Sequence, residues 1–592
     1  MNRDTLQMLL FRSLIARVIV LSAFAGVLLP AVHAQNPPGE KCPRPSAGSS
    51  VVEPVDLRSE NGTLQVHFFY FSAAAARGST RYCYVTDSGV ESPTLRVHPG
   101  DWLVISLKNE ISAASDSAGA SSASSHHPPM DKSCAGGGAM TPSATNLHFH
   151  GLAIPPVCHQ DEVLTTSVLP SSAAYEYRVQ IPPNQPPGLY WYHPHLHGFS
   201  KAQVLGGASG ALIVEGIERS IPALAGLGER VIVIRDQDLL NPDAPPSSSG
   251  AAAPPVVLDS DGDARNTGSG TGKPAKDLSV NFVPVPYPNY EPAVIRIKPG
   301  ERQLWRVLNA SAITYLNLQM LFDNAPQGFG VVALDGVPIN WNGLGHGIVW
   351  QTHLGLPPGG RAEFMVTGPP EGVKAELLTR SVNTGAGGEN DPVRALAAIV
   401  ASKDAPDLRS KIPAAAEPLV RSNADWLGKV PPAHERRLYF SESLQDPKDP
   451  NSPTTFYVTV EGQQPVPFDP NSSVPNIIVH QGDVEDWYIE NRSQELHAFH
   501  IHQIHFMLLE WFGLPVNEPF LRDTINVPFW DGKTTKYPSV KLRMDFRDPS
   551  IAGTFPYHCH LLEHEDGGMM GLVRVLPKEV RKEAAFAPPA AQ

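Results

Sequence analysis

A pattern that occurs three times along the chain limits the folds it can adopt. In each copy a turn glycine precedes an acidic residue, a run of strand character follows, and an asparagine stands nine residues after the glycine. In the first copy Trp102 and Val104 alternate with Leu103 and Ile105, as expected for a β-strand that follows a turn. The copies run from Val97 to Asn109, from Ile297 to Asn309 and from Val479 to Asn491.

The spacing of the copies, about 200 residues, is too long for a solenoid and fits three related β-domains. Abundant proline (59) and glycine (49), and a charged fraction of only 18%, also favour an all-β chain of several domains. We predict domains at 45–217, 225–405 and 430–577, followed by a disordered tail at 578–592. The low-complexity stretches Ser112 to Ala144 and Asn241 to Lys273 are predicted to be flexible surface insertions.

Histidines are concentrated in four short segments of domains one and three. The first and third segments follow the repeated strand, and the second and fourth follow glycine-containing runs of equal length. Domain two has the strand but no His-x-His after it. The segments are His148 to Gly151, His193 to Gly198, His497 to His502, and His558 to Met569.

The four His-x-His units predict a metal cluster between domains one and three. Residues i and i+2 of a strand point to the same side, so four units that face one another supply eight imidazoles to one cavity. Imidazole binds copper, zinc, iron and nickel, and eight exceed the needs of one ion. One His-x-His would be weak evidence, whereas four in matched positions argue against incidental histidines.

The segment around Cys559 indicates which metal is bound. His497, Cys559 and His564 make a His₂Cys set, and a methionine ten residues after the cysteine adds a weak axial ligand, which is the ligand set of a blue-copper centre. A structural zinc site would not need a thiolate flanked by two further metal histidines. Met569 is favoured over Met570 as the axial ligand because it matches the spacing in the family that this chain resembles, which is named in the next paragraph.

At these residues the chain resembles the three-domain multicopper oxidases, which include laccases, bilirubin oxidases, ascorbate oxidase and bacterial cuprous oxidases. The four motifs match in order, and the resemblance covers nearly the whole chain after residue 34. It implies three cupredoxin-like Greek-key β-barrel domains and four copper ions: one type 1, one type 2 and two type 3.

The resemblance also implies a role for each ligand. The type 1 copper would be held by His497, Cys559, His564 and Met569, and the type 2 copper by His148 and His500. One type 3 copper would be held by His150, His193 and His560, and the other by His195, His502 and His558. His197 is not a ligand in the family pattern, and its role is either ordinary packing or support of a ligand.

The chain departs from the family pattern in two places, and three carboxylates are candidate proton donors. The third motif has Ala498 where the family usually has proline, and Cys158 to Asp161 lengthens the stretch after the first motif. In relatives an acidic residue near this stretch helps to protonate reduced oxygen, so Asp161 or Glu162 is a candidate donor. Glu565, next to a type 1 ligand, resembles a second donor. For each, a solvated or structural carboxylate is the alternative.

The N-terminus predicts export. Arg3, Arg12 and Arg17 precede an apolar run, Val18 to Val32, that is short for a membrane span, and small residues suggest cleavage after Ala34. We therefore expect a periplasmic or extracellular protein without a membrane anchor. With residues 1–34 removed, the formal charge falls from −13 to −15, which does not favour binding to nucleic acid.

Five cysteines in an oxidising compartment allow two disulfides and leave one cysteine over. The sequence does not fix the pairing, although Cys42 with Cys83 and Cys134 with Cys158 is one arrangement. Cys559 is the residue that metal binding keeps out of disulfides.

These features predict an oxidase that couples one-electron oxidation of a small donor to four-electron reduction of O₂ to water. Phenols or aromatic amines are the favoured donors, because the ten methionines form no dense cluster that would bind Cu(I). Oxidation of Cu(I) or Fe(II) in copper tolerance is the alternative, and a copper-storing protein without turnover is a third reading. The expected partners are O₂ and a small reducing substrate, and we expect a monomer.

Overall fold

The computed structural model describes residues 41–112, 134, 140–245, 257–258, 264–265, 272–339, 341, 347–408, 412–413, 426–449 and 452–578. The chain divides into two compact units, residues 1–43 and 44–592, and only residues 41–43 of the first unit are described. The predicted signal peptide, almost the whole tail and most of the two low-complexity stretches therefore lie outside the described residues.

Domain one consists of two sheets and two short helices. Its strands are β1 (Asp56–Arg58), β2 (Thr63–Ala74), β3 (Thr80–Thr86), β4 (Thr94–Val97), β5 (Trp102–Asn109), β6 (His148–His150), β7 (Tyr175–Gln180), β8 (Gly188–His193) and β9 (Gly210–Val214). The helices are α1 (Ser200–Leu205) and α2 (Ile217–Ser220). One sheet has the order β3-β2-β5-β7, and the other has the order β1-β4-β9-β8-β6.

Domain two also has two main sheets. The strands are β10 (Gly228–Gln237), β11 (Val257–Leu258), β12 (Ala264–Arg265), β13 (Asp277–Val280), β14 (Val283–Val285), β15 (Ala293–Ile297), β16 (Arg302–Asn309), β17 (Leu316–Phe322), β18 (Ala325–Pro326), β19 (Phe329–Leu334), β20 (Val337–Pro338), β21 (Val349–Gln351), β22 (Leu354–Leu356), β23 (Arg361–Thr367), β24 (Ala375–Thr379) and β25 (Arg394–Ala401). The sheet orders are β14-β13-β10-β16-β23-β19-β20 and β15-β25-β24-β17-β18.

Domain three repeats this arrangement. Its strands are β26 (His434–Leu444), β27 (Thr454–Val460), β28 (Ile477–His480), β29 (Val484–Asn491), β30 (His497–Ile501), β31 (Phe506–Trp511), β32 (Leu514–Pro515), β33 (Thr524–Val527), β34 (Ser539–Asp545), β35 (Gly553–Cys559) and β36 (Met570–Leu576), with helix α3 (Leu562–Asp566). The sheets run β27-β26-β29-β34-β31-β32 and β28-β36-β35-β30-β33. The all-β prediction is confirmed.

The repeated sequence forms an interior strand of each domain. These strands, β5, β16 and β29, each pair in parallel with β2, β10 or β26 on one side and antiparallel with β7, β23 or β34 on the other. The turn glycines Gly100, Gly300 and Gly482 have φ values of 93°, 68° and 105°, a left-handed conformation that favours glycine. The turn therefore explains the glycine of the pattern.

The asparagine of the pattern ends the strand and ties loops to it. Asn109, Asn309 and Asn491 are each buried, and each side-chain amide donates to at least two backbone carbonyls. The amide oxygen of each accepts from the backbone N–H two residues later. Buried backbone polar groups need such partners, so an asparagine is required where the strand gives way to a loop.

Each domain has its own apolar core between its two sheets. Representative buried residues are Phe68 in domain one, Trp305 in domain two and Trp487 in domain three. The first and last strands of the three sheet pairs lie within the predicted ranges 45–217, 225–405 and 430–577. Within the described part of the chain, no helix has the length and apolarity needed to cross a membrane.

The cysteines follow the expected division. Cys134 and Cys158 form a disulfide, with their Cα atoms 5.2 Å apart. Cys42 and Cys83 each belong to a disulfide as well. Cys559 is a free cysteine and is buried, so its thiol remains available for another role.

A buried charge network joins domain one to domain two. Arg96 on β4 is fully buried and contacts Glu229 on β10, Asp56 at 2.8 Å and Glu215 at 3.0 Å. The guanidinium pKa is raised by these carboxylates, although burial alone would lower it. Arg58 contacts two of the same carboxylates from a side chain that is 44% exposed.

We expect Arg96→Met to lower the free energy of unfolding by about 3–5 kcal/mol, because it removes the buried cation that faces three carboxylates. The matched variant Arg58→Met should cost about 0–1 kcal/mol, since an exposed ion pair is screened by water. Urea unfolding of identically prepared proteins measures both. Equal losses in the two variants would contradict this account of the interface.

Candidate metal centre

The four histidine segments lie on neighbouring strands of two sheets. In domain one, β6 pairs with β8, so that His148 stands opposite His193. In domain three, β30 pairs with β35, so that His500 stands opposite His558. Each domain therefore presents two adjacent histidine-bearing strands, and the two domains present them to each other.

The eight imidazoles of the His-x-His units form three groups that span both domains. In each group the possible ligand atoms lie within 4.8 Å of one another. In the third group, Nε2 of His195 is 3.2 Å from Nε2 of His502 and 3.3 Å from Nε2 of His558. The groups are His148, His150 and His500; His150, His193 and His560; and His195, His502 and His558.

Several ring nitrogens in these groups are buried with no hydrogen-bond partner among the described residues. They include His148 Nε2, His150 Nδ1, His193 Nε2, His500 Nε2 and His560 Nε2. A buried polar atom without a partner is costly, and such atoms that converge on a shared position are suited to a metal. The donor set therefore fits metal ions that prefer imidazole.

Burial also keeps the imidazoles neutral, which metal binding requires. It lowers the pKa of His148 and of His558 to about 3. The pKa of His195 is well below its usual value, first because of burial and then because of the neighbouring histidines. A neutral ring has one nitrogen with a free lone pair, and the other nitrogen carries the proton.

The proton-bearing nitrogen has its own partner in four of these rings. His148 Nδ1 donates to Asp161 at 3.0 Å, and the other three rings donate to backbone carbonyls. Such outer contacts fix the tautomer and the orientation of a metal-binding histidine. The backbone contacts are His193 Nδ1 to Pro194 O and His558 Nδ1 to Cys559 O, both 2.9 Å, and His500 Nδ1 to Asp523 O, 2.8 Å.

A fourth group surrounds Cys559. Its Sγ lies 3.6 Å from Nδ1 of His497 and 3.7 Å from Nδ1 of His564, and the two Nδ1 atoms are 3.1 Å apart. Burial raises the pKa of the Cys559 thiol, so a thiolate here requires a cation beside it. Two imidazoles and one thiol are the donors of a blue-copper centre.

The outer nitrogens of both histidines in this group face polar side chains that the sequence did not indicate. His497 Nε2 lies 2.7 Å from Ser493 Oγ and 3.1 Å from Glu442. His564 Nε2 lies 3.3 Å from Glu495, and Phe456 stacks on the His564 ring at 4.2 Å. Ser493 and Glu495 could have been noticed beside the third motif. Glu442 and Phe456 reach the site from β26 and β27 and give no local signal.

The candidate proton donors occupy different environments. Asp161 is buried, accepts from His148, Phe149 N and Gln503, and has a pKa raised by burial. Glu162 accepts from the backbone N–H groups of two later residues, which is a local structural role.

Glu565 is buried beside two other histidines of these groups. It is 3.3 Å from His558 Nδ1 and 3.6 Å from His195 Nε2, and it accepts from Ser200 Oγ at 3.0 Å. Burial raises its pKa, and the neighbouring Asp566 raises it further. Asp161 and Glu565 thus contact ring nitrogens, whereas Glu162 supports its own loop.

Three further sequence candidates are positioned as follows. Met569 is fully buried in the core that contains Cys559, and Cys559 N donates to its carbonyl at 3.1 Å. Met570 begins β36 and pairs with His558. His197 stands edge-on to Phe468 at 4.9 Å, and burial lowers its pKa to about 4.

Domain two, which the sequence left without ligands, lines the histidine groups through one turn. A Cβ atom on Gly359 would lie 2.8 Å from the His560 ring, so the turn touches that ring closely. Two residues later, Arg361 contacts Asp523, which contacts His150 and His500. Sequence reasoning missed Arg361 and Asp523 because neither lies in a histidine segment.

Two family models described as multicopper oxidase match the chain, at residues 139–219 and 444–579. A multicopper oxidase of Staphylococcus haemolyticus is 25% identical over 440 residues, which are 73% of this chain and 76% of that protein. A laccase of Bacillus subtilis is 23% identical over 420 residues, covering 66% of this chain and 71% of that protein.

Solved structures share the fold. A multicopper oxidase of Campylobacter jejuni, described as a metallo-oxidase, has a TM-score of 0.60 and 22% identity, and the match covers 90% of this chain and 96% of that one. The predicted cupredoxin-like domains are the fold of such proteins, which confirms the fold class.

The copper affinity of the three histidine groups and that of the Cys559 group should depend differently on pH. His148 and His558, with pKa values of about 3, stay neutral from pH 7 to pH 5, so protons do not compete with copper at the histidine groups. The Cys559 thiol, whose pKa is raised, must lose a proton to bind copper, so its affinity should fall about tenfold for each pH unit of acidification.

Titration of copper-free protein in copper buffers at several pH values measures both affinities. Blue absorption reports copper at the Cys559 site, and the remaining bound copper reports the histidine groups. Cys559→Ser serves as the control that leaves only the histidine groups. A blue site whose affinity does not change with pH would contradict this prediction, as would histidine groups that lose affinity tenfold per unit above pH 5.

Proposed function

Because this chain belongs to the multicopper oxidase family, we propose that it takes single electrons from a phenol or aromatic amine and reduces O₂ to two molecules of water. The chain is a copper-dependent oxidoreductase with O₂ as acceptor, and it also requires a reducing substrate. The proposal rests on one observation: buried ring nitrogens from two domains, which lack hydrogen-bond partners in the part of the chain that the structure describes, converge beside a buried free thiol.

We assign four copper ions to these groups. His497, Cys559, His564 and Met569 hold the type 1 ion, and His148 and His500 hold the type 2 ion. His150, His193 and His560 hold one type 3 ion, and His195, His502 and His558 hold the other. The neutral imidazoles and the nitrogens without protein partners support this assignment.

Copper bound at these residues would supply one-electron redox chemistry at the Cys559 group and a binding place for O₂ at the histidine groups. Cys559 connects the two through the backbone, because His558 and His560 are its direct neighbours in the chain. O₂ takes up four electrons and four protons to give two waters, so a donor that gives one electron must be used four times.

Proton supply is the part of the reaction that falls to carboxyl groups. We assign it to Asp161, beside His148, and to Glu565, beside His195 and His558. Because burial raises the pKa of both carboxyl groups, each holds a proton more readily than an exposed carboxyl group does, as a proton donor must.

The surroundings of His564 support an aromatic donor. Phe456 stacks flat on this ring, so an apolar face borders the place where an electron would enter. The chain has ten methionines in total and no dense methionine cluster. Phenols and aromatic amines match an apolar, aromatic entry better than a bare metal ion does.

One observation favours the alternative, a Cu(I) or Fe(II) donor. Glu442 and Glu495 each face the outer nitrogen of a type 1 histidine, and carboxylates attract cations. Measuring kcat/KM separately for a dimethoxyphenol, for Cu(I) and for Fe(II) distinguishes an aromatic donor from a metal donor. If the donor is aromatic, Phe456→Leu should lower kcat/KM for the phenol. If the donor is a metal ion, Glu442→Gln should lower kcat/KM for that ion instead.

We further propose that the protein is exported, with residues 1–34 as a signal peptide, and that it works as a monomer. The basic residues and apolar run near the N-terminus support export, and so do the disulfides of the mature chain. Sequencing of the N-terminus of protein from the exported fraction should give Gln35.

The purified protein should contain about four coppers, be blue and consume one O₂ for every four one-electron donors. Cys559→Ser should abolish the blue colour and donor-dependent O₂ uptake while retaining about three coppers. Metal analysis, absorption spectroscopy and an oxygen electrode measure this. Zinc in place of copper, or peroxide as the main product, would refute the proposal.

Asp161→Asn and Glu565→Gln should each slow reoxidation of the reduced protein by O₂ by about 10²-fold or more, since each removes a positioned proton donor. Reduction of the blue centre by donor should stay near the unsubstituted rate. Stopped-flow return of blue absorption measures this step. Glu162→Gln, which alters only a loop contact, is the control, and unchanged reoxidation in both test variants would remove the assignment.

A further inference from the structure

We propose that Arg361, a residue of the domain without histidine ligands, is a positioning residue for the copper cluster. It fixes the carboxylate of Asp523, and Asp523 in turn orients His150 and His500. The inference rests on the proposed function only in taking these histidines as copper ligands. It assigns to domain two a direct part in the geometry of the cluster.

Arg361 is fully buried, and its guanidinium is fully hydrogen-bonded. Nη1 donates to Asp523 Oδ1 at 2.7 Å and Nη2 donates to Asp523 Oδ2 at 2.6 Å, which makes a two-point contact. The remaining donors reach the carbonyls of Leu189, Gly359 and Asp335 at 3.0–3.3 Å. All five N–H groups therefore have acceptors, and the planar group has one orientation that satisfies them.

Those acceptors come from all three domains. Leu189 lies on β8 of domain one, Gly359 and Asp335 belong to domain two, and Asp523 directly precedes β33 of domain three. Arg361 N also donates to Asp335 Oδ1 at 2.9 Å. The guanidinium thus stands where the three domains meet, directly behind the histidine groups.

Asp523, held by Arg361, contacts two imidazoles and fixes their orientation. Its Oδ1 lies 3.1 Å from His150 Nε2, and its backbone carbonyl accepts from His500 Nδ1 at 2.8 Å. Thr524 Oγ1 donates to the same Oδ1 at 2.9 Å. The two rings stack at 3.9 Å with an angle of 15° between their planes.

These contacts decide which nitrogen of each ring faces the cluster. With Nε2 of His150 and Nδ1 of His500 engaged by Asp523, the opposite nitrogens, Nδ1 of His150 and Nε2 of His500, are the buried atoms that lack partners in the described structure. One carboxylate-bearing residue therefore orients ligands assigned to two different copper ions. Such outer contacts change metal affinity by about 10- to 100-fold.

The packing leaves little freedom for another arrangement. A Cβ atom on Gly151 would lie 2.5 Å from Arg361 Nη2 and 2.7 Å from Asp523 Oδ2. Gly151 has a φ of 88°, which also favours glycine. Gly151 ends the first histidine segment, and a larger residue there would collide with the Arg361–Asp523 ion pair.

The test separates positioning from a merely structural ion pair. Arg361→Met and Asp523→Asn are compared with Arg306→Met, which removes another fully buried arginine of domain two. Arg306 contacts Glu229 and Glu363 and serves as the matched control for loss of a buried charge. Arg361→Lys keeps the charge but not the two-point contact, and provides a milder variant if Arg361→Met does not fold.

We expect Arg361→Met, Asp523→Asn and, to a smaller extent, Arg361→Lys to weaken cluster copper binding by 10- to 100-fold and to change the hyperfine splitting of the type 2 copper EPR signal. The blue absorption of the Cys559 site should stay unchanged in all of them. Arg306→Met should lower the unfolding midpoint yet keep the type 2 signal and cluster copper of the parent.

The double variant Arg361→Met with Asp523→Asn removes both charges. It should recover stability relative to Arg361→Met without recovering the type 2 signal, because the two-point contact is still missing. A parent-like type 2 signal and full cluster copper in Arg361→Met or Asp523→Asn would overturn the inference. If the parent protein itself binds no copper, it is the proposed function that fails.

Discussion

Ten imidazoles and one thiol are buried together in this chain, and several of the imidazole nitrogens have no hydrogen-bond partner within the described residues. A buried polar atom without a hydrogen bond costs about 1–3 kcal/mol, so the cavity is expensive for the folded chain to maintain. Desolvation keeps the imidazole rings of the histidine groups neutral, which prevents protonation from relieving that cost near neutral pH. Metal binding offsets the cost, and the surrounding fold can be understood as the means of holding these atoms in place.

Each domain contributes to this in a different way. Domains one and three supply paired strands whose side chains face one another, and domain two supplies a close-packed turn and a guanidinium behind them. The short helices α1, which follows the second histidine segment, and α3, which lies within the fourth, join the two ligand-bearing domains. Asp566 on α3 accepts the backbone N–H groups of Ser200 and Lys201 at the start of α1, and Lys201 pairs with Glu563.

The sequence was sufficient for the all-β fold and for the histidines and cysteine that meet at the site. The histidines lie in short motifs with a spacing of two residues, and this spacing alone predicts that their side chains point to the same side of a strand. The repeated glycine and asparagine were visible too, although only the structure explains the asparagine as an amide that ties two loops to the end of a strand.

The residues that the sequence did not reveal act across long distances in the chain. Arg361 and Asp523 are 162 residues apart, and Glu442 reaches His497 from another strand. No local period marks a residue whose role is to contact a ligand from a different domain. Asp161 and Glu565 could be named because each is close in the chain to a histidine motif.

The helix pair α1 and α3 has a consequence for the biosynthesis of this protein. His195 precedes His497 by 302 residues, so at 5–20 residues per second the ribosome delivers the second half of the site about 15–60 s after the first. During that interval domain one can fold its own sheets, but its histidine strands have nothing opposite them. The contact of Asp566 with α1 comes from beyond the last histidine, His564, so these domains can close only after residue 566 has been synthesised. The histidine-bearing strands of the two domains can therefore meet only after that point in synthesis.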